Sequence, residues 1–303
     1  MGGQTLHRGV WPCFKITSLI FEQDISYNVQ LHEVIKISCC GERVIKMENF
    51  KQLKRDDKFC FTCKKEYSCF NKCCTDTNIF LTPYDVLRIR RHLQVSSEEF
   101  LEKYTIQPFT KDQKLPVVLL KLRDDEKKHC QFVKEEGCSI YDDRPWSCRM
   151  YPIGLASQKT RVDDPGNEFF FIQTDDFCEG HTSKQEWSID EWLQNQGIEP
   201  YEHFSSLFRE IVLHPSFEKG HDLTPPKMEM FHMVFYNLDK FREFVFESTF
   251  LKRFEIAKKT LDEIKQDDLN LMVFGVDWLK FCLFGESTIK IRGEVSEKEL
   301  EEA

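Results

Sequence analysis

The sequence predicts a helix-rich α+β protein: a small, irregular, cysteine-bound module with short antiparallel strands, followed by a helical carboxy-terminal region. Three observations support this. Nine of the thirteen cysteines fall between Cys60 and Cys178, helix-start signals recur from Thr82 onward, and the apolar runs around the cysteines are too short for helices. The 303 residues carry 42 Lys+Arg against 51 Asp+Glu, a formal charge of −9, so nothing suggests a general nucleic-acid binder. The longest apolar runs are Val117 to Leu120 and the Phe triplet within Glu168 to Ile172. Both fall far short of the roughly 20 residues of a membrane span.

The opening stretch, MGGQTLHRGVWPCFKITSLIF, lacks a basic head, a sustained apolar core and a small-residue cleavage site, and Leu6 stands where N-myristoylation needs Ser or Thr. A cytoplasmic location is therefore expected, and thiols in a reducing compartment are more often metal ligands or redox groups than disulfides. Residues 1–46 have no clear period and read as an extension outside the native domain, with Cys13, Cys39 and Cys40 as bystanders. A cysteine-cluster domain is expected over 47–185, a helical region over 186–290 and an acidic tail over 291–303.

Within the cysteine domain the spacing is Cys60-x2-Cys63-x5-Cys69-x3-Cys73-Cys74, then 55 residues without cysteine, then Cys130-x7-Cys138-x9-Cys148-x29-Cys178. Neither group is dense enough for a self-contained zinc finger, so the two should converge on a shared site. Neighbouring side chains on extended backbone point to opposite sides, which lets the vicinal pair Cys73-Cys74 serve two centres. Eight thiolates, with Cys60 as a ninth candidate, could build two four-cysteine sites or one iron–sulfur cluster with further thiols nearby. Burial as small hydrophobes is the plainer fate, and is expected for Cys282.

Between the two cysteine groups, Thr82-Pro83-Tyr84-Asp85 supplies an N-cap, a proline at the first helical position and an acid in the first turn, predicting a helix to about His92. Ser96 to Glu99 is a capping box, flanked by Val95 and Phe100 as a hydrophobic staple, predicting a second helix to Tyr104. VVLLKL and HCQFV read as short strands, with SIY continuing the sheet, and Asp142 to Pro145 as the turn into Cys148. Arg144 and Arg149 flank Cys148 and could donate to thiolate sulfur, or else pair with Asp142 or Asp143. His129 and His181 adjoin cysteines, but a surface role is expected for each. Further on, Ser188 to Glu191 is another capping box, Thr224-Pro225-Pro226 opens a helix carrying Met228, Phe231, Phe235 and Leu238, and Asp267-Asp268 opens one that Gly285 ends. Phe241 to Leu261 completes a helical, Phe-rich half whose aromatic residues are expected in the core.

The run FTCKKEYSCFNKCCTDTNIFLTPYDVLRIRRHL, followed by HCQFVKEEGCSIYDDRPWSCRMYPIG, resembles the cysteine-cluster family of putative zinc- or iron-chelating domains (YkgJ-like, CxxCxxCC type). The resemblance spans roughly Phe59 to Cys178 and implies metal binding through Cys63, Cys69, Cys73, Cys74, Cys130, Cys138, Cys148 and Cys178. The x5 and x3 spacings depart from the family's pattern, which leaves Cys60 or Cys63 as the first ligand. An iron–sulfur cluster or iron is the expected cofactor, with zinc as the alternative, and the metal is the expected partner. A related domain in flagellin lysine N-methylases makes a protein lysine methyltransferase the alternative function, although no G-x-G-x-x-G, G-x-x-x-x-G-K or G-x-S-x-G motif occurs. A thiol redox or metal-trafficking protein is the third reading.

Overall fold

A computed structural model describes residues 51–108, 115–157 and 168–293, together with the backbone of 34–37 and 43–46. Strands β1 (Val34–Ile37) and β2 (Arg43–Lys46) form an antiparallel hairpin. The rest of the expected extension, with Cys13, Cys39 and Cys40, lies outside the described residues, as do residues 294–303 of the expected tail. Strand β3 (Lys58–Cys60) leads into the first cysteine loop, where Lys72–Cys74 forms a 3-10 turn instead of extended backbone. Helix α1 (Pro83–Leu93) begins as its sequence dictates: the Thr82 hydroxyl accepts from the Asp85 N–H and the Asp85 carboxylate accepts from the Thr82 N–H. Helix α2 (Ser97–Tyr104) has half of its expected box, because Ser96 caps the Glu99 N–H while the Glu99 carboxylate turns outward to Lys103. Phe100 is fully buried behind it.

The strands that follow are shorter than the sequence suggests. β4 (Thr105–Ile106) pairs with β5 (Leu119–Leu120), so most of VVLLKL is not strand; β6 (Val133–Lys134) and β7 (Gly137–Cys138) form a tight hairpin. HCQFV meets VVLLKL through a single bridge, between Leu122 and Cys130, and a Gln131 side-chain bond to the Lys121 carbonyl at 3.0 Å. SIY does not extend the sheet. Tyr141–Asp143 is a 3-10 turn, since Asp142 and Asp143 favour turn backbone and Arg88 holds the Asp143 carboxylate there. The turn feeds α3 (Trp146–Met150), whose middle residue is Cys148. β8 (Ile153–Ser157) and β9 (Glu168–Ile172) form the longest ladder of the cysteine half, with Phe169 and Phe171 of the Phe triplet buried. A 3-10 turn at Glu179–Thr182 then leads to β10 (Glu186–Ser188), which pairs antiparallel with β3, Glu186 opposite Cys60.

The remainder is helical, and 47% of the structure is helix. Ser188 and Glu191 form the expected reciprocal box at α4 (Ile189–Asn195), which is followed by α5 (Glu199–Val212). Helix α6 (Pro225–Tyr236) buries Phe231 and Phe235, whereas Leu238 opens α7 (Leu238–Glu247). The Phe241 to Leu261 stretch is divided among α7, α8 (Phe250–Arg253), β11 (Phe254–Glu255) and α9 (Lys258–Gln266). Asp267 caps α10 (Asp268–Leu279) by accepting from the Leu269 and Asn270 N–H groups; a π turn at Lys280–Phe284 ends at Gly285 in the left-handed region, and β12 (Lys290–Ile291) pairs with β11. One hydrophobic cluster runs from Leu53 to Ile289, so both halves share a core. Asp268 fastens them, accepting from Arg90 at 2.6 Å, Arg91 at 3.1 Å and Arg242.

Candidate metal centre

Cys63, Cys69, Cys73, Cys74, Cys130, Cys138, Cys148 and Cys178 all line one cavity of about 370 Å³. Its other walls are mainly apolar and aromatic, among them Phe61, Phe70, Phe132, Tyr151 and Trp192, with Arg144 as the one arginine. Cys60 is not in the lining; it lies exposed at the end of β3. Cys282 is far from the site in the fold, on the π turn, its sulfur 2.8 Å from that of Met230, and burial pushes its thiol up to about 12.

Backbone hydrogen bonds set the cysteines in place. The Thr62 N–H donates to the Gly180 carbonyl at 3.1 Å, which closes the first cysteine loop against the Cys178 turn. The Glu179 N–H donates to the Cys69 sulfur at 3.3 Å, while the Glu179 carboxylate accepts from the Ser68 N–H at 3.1 Å. The approach depends on Gly180, where a Cβ would stand 2.5 Å from the Phe61 ring and 3.0 Å from the Thr62 carbonyl. Cys63, at the rim of the cavity, is exposed like Cys60, and partial desolvation of its thiol, then the nearby Cys73, Cys69 and Cys178, push it up to about 11. Burial likewise raises Cys178, opposed by the neighbouring Tyr151 hydroxyl and the Gly180 N–H. The single proton of the Tyr151 hydroxyl goes to the Asp175 carboxylate at 2.9 Å, which leaves the phenol oxygen beside Cys178 as an acceptor.

On the other side, the Cys130 N–H donates to the Cys74 carbonyl at 2.7 Å, and Thr75 bridges His129. The Val133 N–H donates to the Cys130 carbonyl at 3.2 Å, turning the chain into the β6–β7 hairpin that ends at Cys138. Gly137 makes this hairpin possible, with φ of 126° and the Phe70 ring 3.3 Å from where a Cβ would be.

The two arginines divide their work. Arg149 spends its donors on carbonyls, Nε to Arg144 at 3.1 Å, Nη1 to Gln196 at 2.8 Å and Nη2 to Asp142, and stacks on Tyr201 at 4.7 Å. It braces the loop that carries Cys148. Arg144 donates to the Tyr141 carbonyl and the Gln196 side chain and faces Cys148 and Cys138. Among the described residues no carboxylate lies within ion-pair distance of it, and neither arginine pairs with the carboxylates of Asp142 or Asp143. Burial lowers its pKa, as expected of a guanidinium removed from water.

His129 pairs with Asp125 at 2.9 Å, away from the cavity lining. His181 packs on Phe61 at 5.2 Å, and burial lowers its pKa toward the neutral ring. Sequence reasoning missed Tyr151, Gln196 and Asp85. The last is fully buried, and its carboxylate accepts from the Trp146 N–H at 2.7 Å, tying the start of α1 to the start of the Cys148 helix. The Thr82 to Asp85 pattern pointed to the cap, but no local pattern encodes the Trp146 bond.

Eight thiols lining one cavity make a donor set of the kind that suits a soft, thiophilic cation. Residues 62–179 match the family described as a putative zinc- or iron-chelating domain, CxxCxxCC. The CxxCxxCC segment covers under half of the chain and contains all eight cavity cysteines, while Cys60 falls outside it. No curated protein and no solved structure matches the chain. Among the described residues no group of three or more His, Cys, Asp or Glu is gathered tightly enough to hold a metal ion as it stands, and no helix is long and apolar enough to cross a membrane.

Proposed function

We propose that this protein holds iron or zinc through the eight cavity cysteines, with iron–sulfur ligation favoured over zinc. The observation that carries the reading is the convergence of these eight residues, from sequence positions 63 to 178, on one cavity. The donor set fits thiophilic metals, because soft thiolates select zinc and iron–sulfur centres over hard cations. The surroundings fit a negatively charged centre. Arg144 is a buried cation facing Cys138 and Cys148, and an unbalanced buried guanidinium would cost several kcal/mol (order of magnitude). The Glu179 N–H and the Gly180 N–H donate to sulfur, the kind of contact that tunes cluster potentials and thiolate basicity. Metal ligation requires thiolates, so loading releases the protons of the cavity thiols. When bound, the metal supplies the positive charge that stabilises the thiolates.

Iron is the expected metal, and eight sulfurs exceed the four that one closed zinc site or one iron–sulfur cluster takes. Anaerobic purification followed by metal analysis and visible and electron paramagnetic resonance spectra tests this. Iron with sulfide and visible charge-transfer absorption is the expected result. Colourless protein containing zinc alone rejects the iron–sulfur form, and protein without either metal rejects the reading.

A further inference from the structure

Arg144 is the one cationic side chain in the cavity lining, and it is only 8% exposed. We propose that the cavity also takes a small molecule with one carboxylate and an apolar body, the carboxylate being received by Arg144. This ligand is additional to the metal and engages none of the eight cysteines.

The guanidinium has donors to spare. It has five N–H groups, and two are spent, on the Tyr141 carbonyl and the Gln196 side-chain oxygen. The Nε–H and one hydrogen on each terminal nitrogen have no hydrogen-bond partner among the described residues, and no carboxylate there lies within ion-pair distance. Burying a cation without a nearby counter-charge is costly, so a ligand that brings one is favoured. The Tyr141 ring covers the guanidinium at 3.8 Å and is itself 58% exposed, which places Arg144 just inside the mouth of the cavity, within reach of an entering molecule.

The walls select the rest of the ligand. At about 370 Å³ the cavity is roughly twelve times a water molecule's ~30 Å³ share and falls within the ~300–1,000 Å³ range of small-molecule sites. Phe70, Phe132 and Trp192 offer it aromatic surface, which suits an apolar body. One cation matches one negative charge, and the two oxygens of a carboxylate fit the guanidinium fork. A dianion would bring a second charge with no partner in the lining. Glu136, the one acid of the lining, is exposed at the β6–β7 hairpin and repels that second charge further.

Calorimetric titration of the anaerobically purified full chain with phenylacetate, and with its neutral counterpart phenylacetamide, tests the proposal. Phenylacetate should bind saturably at about one equivalent, and phenylacetamide about ten- to a hundredfold more weakly, the loss that accompanies a missing charge-assisted hydrogen bond. Arg144→Gln should weaken phenylacetate by a similar factor. Absence of saturable phenylacetate binding, equal affinity of the parent for acid and amide, or unchanged affinity in a folded Arg144→Gln overturns the proposal. The acid and amide comparison needs the parent alone, so it decides the matter where the variant does not fold. Metal analysis of the same preparation keeps the two readings apart: metal without phenylacetate binding overturns the carboxylate site alone, and phenylacetate binding without metal overturns the metal reading alone.

Discussion

Replacing Asp85 by Asn tests the link between the helical scaffold and the Cys148 helix. The carboxylate is fully buried and accepts from the Trp146 N–H at 2.7 Å, the Thr82 N–H at 2.7 Å and the Thr82 hydroxyl at 2.8 Å. Burial pushes its pKa up to about 6, against the pull of these bonds and of Arg149. The unfolded value is about 3.9, so the folded state holds the proton more tightly. Its contribution to stability is therefore greatest below about pH 4, declines as pH rises through the window from 4 to 6, and stays lost above it, a change of about 3 kcal/mol. Asn cannot ionise, and its amide must face one of the three donors, which costs about 1–3 kcal/mol at any pH. In urea melts, Asp85→Asn should be less stable than the parent at pH 4 and gain on it by about 3 kcal/mol by pH 7. Other titrating groups act on both proteins and cancel in the difference. A parent-to-variant difference that is constant with pH, or that moves in the opposite direction, refutes the reasoning. Asp85→Ala strands the Trp146 and Thr82 N–H groups and should cost about 2–6 kcal/mol, with faster loss of metal to a chelator.

Gly180→Ala should cost about 1–3 kcal/mol in thermal melts and lower metal content, because the new methyl meets Phe61 and the Thr62 carbonyl that position Cys178. Cys60→Ser should leave metal content unchanged by elemental analysis, since its side chain is exposed and outside the cavity lining. Asp268→Asn should cost about 3 kcal/mol in denaturant, as three arginines from α1 and α7 then lose their common carboxylate.

The eight cavity cysteines were legible because their crowding into one segment at short spacings sets them apart from the rest of the chain. Caps were legible for the same local reason: Thr82, Ser188 and Asp267 each act within three residues of themselves. What escaped depends on long-range partners. Nothing beside Arg149 in sequence announces that its guanidinium will be spent on carbonyls as distant as Gln196, and Tyr151 reads as an ordinary aromatic until Asp175 and Cys178 are beside it. The short strands failed in a related way. VVLLKL has strand composition, but its ladder partner among the described residues is β4, two residues long. The backbone at Cys73-Cys74 is a tight 3-10 turn and not the extended backbone expected, so the opposite-sides alternation of a strand does not apply to the pair.

The cavity is completed by residues beyond the family-matched segment, which bears on where a metal-binding unit can be cut. Trp192 of α4 lines the cavity, packs edge-on against Phe59 at 5.9 Å and Phe61 at 5.5 Å, and donates its indole N–H to the Met150 carbonyl at 3.2 Å. Gln196 just beyond it receives both Arg144 and Arg149, and Tyr201 of α5 lies under Arg149 and against Tyr84 of α1 at 4.9 Å. Burying one such aromatic is worth about 1.5–3 kcal/mol, so losing Trp192 and Tyr201 together removes a large part of a typical domain's net stability. A chain ending at residue 185 would also expose the Gln196 partners of both arginines and open one wall of the cavity. Such a fragment should show no cooperative thermal transition and little retained metal, whereas the full chain shows both. A fragment of residues 51–185 that melts cooperatively and retains the full chain's metal would mean that the helical half is an attachment to the cysteine module, contrary to the shared core described above.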